Sequence, residues 1–315
     1  MNLIAIICCI KIINTRDRII SLMKIMIFVT AILCIYIMIV DRSRIFSGNL
    51  GTLVHKPFSS QKYDHNSIPI FCAYSLMFLG YFRVDKIKFK YNYLFTCYFL
   101  LFIILSGARK ALILASIGLI IYPYVFSGKR ENSAKKLFKI VIALLIFYIA
   151  YYLIMNNEFL YQMIGQRIDG VVSGLEGGDY TESSARTRSI MINTGIELIK
   201  NNWWVGYGLG TFKTFPGSFG TWAHNTYIEL TVSGGIWATI IYYLFNIYAT
   251  IVLYKRYRYD KLGAMFFCIT LYMFINDMVA VSYLQRSVNL LYCMINGYIV
   301  INDVSKKQSS KKLVN

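Results

Sequence analysis

Long apolar blocks separated by short polar breaks fill most of this chain, and the blocks approach the roughly 20 residues that an α-helix needs to cross a bilayer. The pattern predicts spans near 1–13, 19–40, 68–82, 91–106, 109–126, 137–155, 230–254, 262–280 and 287–302. The run 91–126 is too long for one helix, and the charged break SGARK, 106–110, divides it. The expected fold class is all-α, a polytopic membrane bundle of about eight or nine helices, because in lipid a helix satisfies its own backbone groups. The expected organisation is N-terminal helices over 1–155, one long extracytoplasmic loop over 156–229, C-terminal helices over 230–302 and a basic cytoplasmic tail over 303–315.

Composition strengthens that picture: 57% of residues are hydrophobic, 15% are charged, and the mean hydropathy is +0.52, far from a soluble domain. A net charge of +18 would suggest nucleic acid in a soluble chain, but here its distribution argues against that partner. More than half of the 33 basic residues fall in KIINTRDR (11–18), RVDKIKFK (83–90), SGKRENSAKK (127–136), KRYRYDK (255–261) and the tail, which alternate along the span list and share one face. That face is expected to be cytoplasmic. An odd number of spans then leaves the N-terminus outside on a weak first helix, so either that segment does not cross or an N-terminal portion is missing. The first residues lack the basic region and cleavage site of a signal peptide. The seven cysteines lie in apolar segments without C-x-x-C spacing, which argues against a disulfide framework and a zinc site.

Loop 156–229 is the one large extramembrane element, and long ordered loops are usually functional. It carries Arg167, Arg186, Arg188, Lys200 and Lys213. Its part DGVVSGLEGGDY (169–180) reads as a mobile linker, and 183–204 reads as a helix capped by Ser183 or Ser184, with Ile192, Ile196 and Ile199 forming an apolar stripe. In VGYGLGTF (205–212), Gly206, Gly208 and Gly210 permit a tight turn and a close backbone approach to a ligand, or simply a turn back to the membrane. The spacing is not that of a dinucleotide loop.

No D-x-D pair occurs, and His55, His65 and His224 have no paired ligand spacing, so a metal-dependent nucleotide-sugar transferase is disfavoured. No G-x-S-x-G elbow supports acyl transfer. Three residues are costly where they stand. Arg109, in a tight break between spans, either meets an anion or snorkels to headgroups. Arg188, with Arg186 beside it, opens a helix whose dipole opposes a cation, a conflict that a bound phosphate relieves; as the alternative, both are solvated. His224, in WAHNTYIELTVSGGIW (222–237), is a base at neutral pH or a polar side chain at headgroup level, with Asn225 able to hold a neutral oxygen nearby. Glu229 is a second carboxylate or an interface residue. Gly234 and Gly235 are expected to permit close helix packing.

In combination, SGARKALIL (106–114), the arginine-opened loop helix with NNWWVGYGLGTF (201–212) and the His–Asn pair before a glycine-containing span resemble the O-antigen ligase and O-antigen polymerase family of bacterial membrane proteins. The resemblance covers roughly 91–255. It implies a C-type glycosyltransferase in the bacterial cytoplasmic membrane with its active site on the extracytoplasmic side, using a polyprenyl diphosphate-linked glycan donor, with no nucleotide, metal or other cofactor. It further implies that Arg109 and Arg188 grip the diphosphate, with Arg186 in reserve, and that His224 orients or deprotonates the acceptor hydroxyl. Asn225, Gly206, Gly208, Gly210 and Glu229 are then candidates for substrate binding. The expected function is polymerisation of lipid-linked repeat units into O-antigen, capsular or exopolysaccharide. The alternatives are ligation of the glycan to lipid A core or protein, and lipid-glycan flipping, against which the lack of internal repeats argues. Expected partners are the lipid-linked donor and acceptor, membrane lipid, and a flippase and chain-length regulator of the same pathway.

Overall fold

The computed structural model describes residues 11–13, 15–40, 54–55, 62–63, 67–106, 108–122, isolated positions between 138 and 165, and 183–312. The first predicted span, the basic segment 127–136 and the glycine-rich 169–180 lie outside the described residues, apart from the end of that span. The fold is helical, except for a two-residue antiparallel ladder pairing β1 (Val54–His55) with β2 (Lys62–Tyr63). The helices are α1 (Arg16–Val40), α2 (Ser67–Val84), α3 (Asn92–Ser106), α4 (Arg109–Ser116) running into a π turn (Ile117–Ile121), α5 (Ser183–Asn201), α6 (Thr226–Arg256), α7 (Lys261–Asp277) and α8 (Arg286–Lys312). Among the described residues, α1 and α6 are long and apolar enough to cross a membrane, while shorter apolar stretches lie within α2, α3, α4 and α8.

Two compact units divide the chain. One comprises 17–167 and 256–268, the other 1–16, 168–255 and 269–315. In the first, α1 and α2 meet through Ser75, whose hydroxyl donates to Thr30 Oγ1 at 3.3 Å, and through the free thiols of Cys34 and Cys72 at 3.2 Å. Gly80 packs against the π turn so closely that an added Cβ would stand 2.6 Å from the Gly118 carbonyl oxygen. At the other end of α2, Asp85 pairs with Lys261 at 3.3 Å, and Lys261 also donates to the Val84 carbonyl at 2.9 Å. The two basic loops 83–90 and 255–261 therefore meet through Asp85 and Lys261.

The second unit contains a break that hydropathy alone does not announce. Within α6, Gly234 (φ −131°, ψ 16°) and Gly235 (φ 67°, ψ −170°) leave helical geometry. The pair therefore does not serve as a smooth contact for a neighbouring helix, as expected, but opens the ladder. An opened ladder leaves backbone groups that cost several kcal/mol each when lipid surrounds them unpaired (order of magnitude). Segment 203–208 supplies the partners: Tyr207 N–H donates to Val232 O at 2.7 Å, Gly208 N–H to Ser233 O at 2.8 Å, and Ile236 N–H to Trp203 O at 2.8 Å. Both sides must be glycine at the closest approach. A Cβ on Gly235 would collide with the Trp204 carbonyl, and one on Gly206 (φ 76°) would lie 2.6 Å from Gly235 N.

Candidate functional site around His224

α5 forms where Ser183 begins a run of helix formers and ends near Asn202, whose side-chain amide donates to Gly206 O at 2.7 Å and helps turn the chain into the glycine-rich segment. Its buried face differs from the isoleucine stripe read from sequence. Met191 is buried and Ile192, Leu198 and Ile199 are partly buried, whereas Ile196 is exposed. The face is centred on Gly195, which has no room for a Cβ beside Ile228 of α6. Met191, Phe212, Ala223, Ile228 and Val232 form the buried cluster that fixes loop 202–225 against α5 and α6. Burial of each large side chain contributes about 1.5–3 kcal/mol, which offsets part of the backbone entropy lost on ordering the loop.

On this scaffold Arg186 is exposed and Arg188 half-buried, both near the N-terminal end of α5. Gly206 and Gly208 are the residues docked on the break in α6. Gly210 (φ 74°) faces Trp222, whose ring would lie 3.5 Å from a Cβ there. Lys213 stands over the same ring at 5.4 Å.

His224 has φ 51°, a left-handed backbone that costs a non-glycine residue on the order of 1–3 kcal/mol and persists only where its surroundings enforce it. They do so from both sides. Before it, Ala223 N–H donates to Glu229 Oε2 at 2.9 Å; after it, Asn225 Oδ1 caps α6 by accepting Ile228 N–H at 3.1 Å. Asn225 Nδ2 also donates to Met278 O at 3.1 Å. The imidazole itself is exposed, with Nε2 3.5 Å from Thr221 Oγ1. Glu229 is fully buried, and its Oε1 has no hydrogen-bond partner among the described residues. The His224 ring is thus exposed while its backbone is clamped on both sides.

A second clamp was not read from the sequence. Thr226 donates to Ala280 O at 2.7 Å and accepts Ser282 N–H at 3.0 Å, while Asp277 accepts the hydroxyls of Tyr243, at 2.8 Å, and Ser282. Tyr227 stacks on Tyr243, with ring centroids 4.6 Å apart. The turn after α7 is thereby bolted to the two residues following His224, and both segments are ones that the span list assigned to the same outer face. The available signal was an acid at the end of an apolar run, which is costly in a membrane unless partnered.

Arg109 begins α4 and belongs to the other compact unit; its side chain lies outside the described residues. Arg188, Arg186, His224, Asn225, Glu229 and the three glycines share one unit, and Arg188 and His224 are carried by elements packed through the Met191–Ile228 cluster.

Fold and site together describe a helical chain that holds the loop bearing His224 against a broken apolar helix. Residues 94–243 match the family model described as O-antigen ligase, and this part of the chain is similar to that family. The match contains Arg109, Arg188 and His224 and ends at Tyr243, before Asp277. No curated protein matches the chain.

Proposed function

We propose that the protein joins polyprenyl diphosphate-linked oligosaccharide repeat units into a polysaccharide at the outer face of the bacterial cytoplasmic membrane. The observation that carries this reading is the exposed His224 ring on a strained backbone clamped by Glu229 and Asn225, within the segment that matches the family. His224 takes the proton of the acceptor hydroxyl as that oxygen attacks the anomeric carbon, with inversion, and the lipid diphosphate departs. Arg188 neutralises the departing charge, and Arg186, more exposed on the same turn region, supplements it. Arg109 is assigned to the same anion on the strength of SGARKALIL. No metal or nucleotide takes part. The eight or nine spans counted from sequence (about that number, by length) and the outward orientation belong to this proposal, and the shared contacts within the two basic loops and within the 225–226 and 278–282 segments support that orientation.

The family description itself favours a second reading, a ligase that delivers the same donor glycan to lipid A core or protein. Reconstitution of the purified protein with lipid-linked repeat unit tests both. Elongated lipid-linked glycan without added acceptor, undiminished by chelator, is the expected result. Transfer only when lipid A core or protein is supplied replaces the polymerase with the ligase, and turnover that requires a metal removes the proposed chemistry.

A further inference from the structure

Segment 201–212, NNWWVGYGLGTF, carries no charge and is bracketed by Lys200 and Lys213. Within it, Val205 is 68% and Leu209 83% exposed, while Trp203 and Trp204 are half-exposed. A water-facing loop gains nothing from such side chains, and water would readily satisfy its backbone. Here the protein itself pairs part of the backbone: the carbonyls of Trp203 and Gly206 and the N–H groups of Tyr207 and Gly208 are bonded internally. Internal pairing of this kind lowers the cost of placing irregular chain at the edge of lipid. The segment is also continuous with an exposed apolar surface. Trp203, Trp204 and Trp237 stack edge to face, with centroids 5.0 Å apart at each step. Trp237 heads the exposed apolar stripe of the spanning helix α6 that continues through Ile241, Leu244 and Tyr248, at spacings of one helical face.

We propose that residues 203–209 form a wedge seated in the bilayer at the boundary between headgroups and acyl chains, with the three tryptophans as its anchor and Lys200 and Lys213 reaching to the headgroups. The occupant of this surface is membrane lipid. The wedge sets the depth at which α5 and the His224 loop are held, because it follows α5 directly, with Tyr207 Oη donating to Leu198 O, and docks on α6, which begins two residues after His224. The inference goes beyond the polymerase reading and does not depend on it.

The test uses full-length single-tryptophan proteins, the other tryptophans replaced by Phe, in phosphatidylcholine vesicles whose acyl chains are brominated near the headgroup. Trp204 is expected to lose fluorescence to the brominated lipid as Trp237 does, and to resist aqueous iodide better than Trp222. Quenching of Trp204 by iodide to the same degree as Trp222 overturns the wedge and leaves the loop in water. Failure of the brominated lipid to quench Trp204 also overturns it, with the surface then covered by protein or a second copy. Leu209→Asp, at a side chain facing away from the protein, keeps the fold and is expected to abolish the lipid quenching of Trp204; unchanged quenching likewise overturns the proposal. None of these readouts involves glycan transfer.

Discussion

α1 and α6 pass the same hydropathy test and do different work. In α1 the ladder is unbroken from Arg16 to Val40, and Thr30 donates to the Met26 carbonyl of its own helix at 2.7 Å while accepting the Ser75 hydroxyl of α2. In α6 the ladder is opened at Gly234–Gly235, repaired by a loop, and preceded by a histidine in a strained conformation. Length and apolar character therefore make both helices able to cross a membrane. What sets α6 apart is backbone groups and charges that the helix does not satisfy by itself.

The largest separation between the two helices is expected from His224→Ala. Removing a general base costs about 100- to 10,000-fold in rate, read as loss of chain elongation in the reconstituted system with normal protein levels. Full elongation by this variant ends the catalytic assignment. Gly235→Ala follows: the new Cβ meets the Trp204 carbonyl on a left-handed backbone, and overpacking of this kind costs on the order of 1–3 kcal/mol before strain is added. Thermal unfolding in detergent should drop sharply, whereas Ala31→Gly inside α1 should cost only about 0.5–1 kcal/mol. Equal losses at the two positions would erase the distinction between a broken and a plain span.

Next comes the acid beyond the family match. Asp277→Ala leaves the Tyr243 and Ser282 hydroxyls without their acceptor, and each orphaned buried group costs about 1–3 kcal/mol. Asp277→Asn keeps one acceptor oxygen and should recover much of the stability. The accompanying elongation assay distinguishes a clamp from a bystander: if the turn 278–282 holds His224 through Asn225 and Thr226, the Ala variant loses turnover beyond its loss of folded protein. Turnover that falls only in proportion to folded protein would reduce Asp277 to a purely structural residue.

What could be read from the sequence follows the range of the interaction that creates it. Helix ends depend on neighbours a turn away, and they were legible: the apolar run 68–82 becomes helix 67–84, 91–106 becomes 92–106, and the loop helix begins at Ser183 in both. The position of His224 just before α6 was legible as well, because an ionisable group beside an apolar run is a local anomaly. The break at Gly234–Gly235 was not, since its repair comes from Trp203, Tyr207 and Gly208, some thirty residues earlier (roughly a loop and a helix away). The pairing of Asp277 with Tyr243 and Ser282 was hidden for the same reason. Ile196 was misread because three isoleucines fit the helical period, but the neighbour that sets the buried face of α5 is the small residue Gly195, which leaves space for Ile228.

The smallest effect is expected where α1 meets α2. Thr30→Val preserves shape and removes the acceptor for the Ser75 hydroxyl, along with a bond that α1 makes to itself. Interhelical hydrogen bonds in membranes contribute about 0.6 kcal/mol on average, because hydroxyls find other partners when the helices separate. Unfolding should therefore shift slightly and elongation stay unchanged. A Thr30→Val protein that is folded yet inactive would mean that the α1–α2 seam shares in the reaction, and the contrast between a plain span and a working one would have to be redrawn to include it.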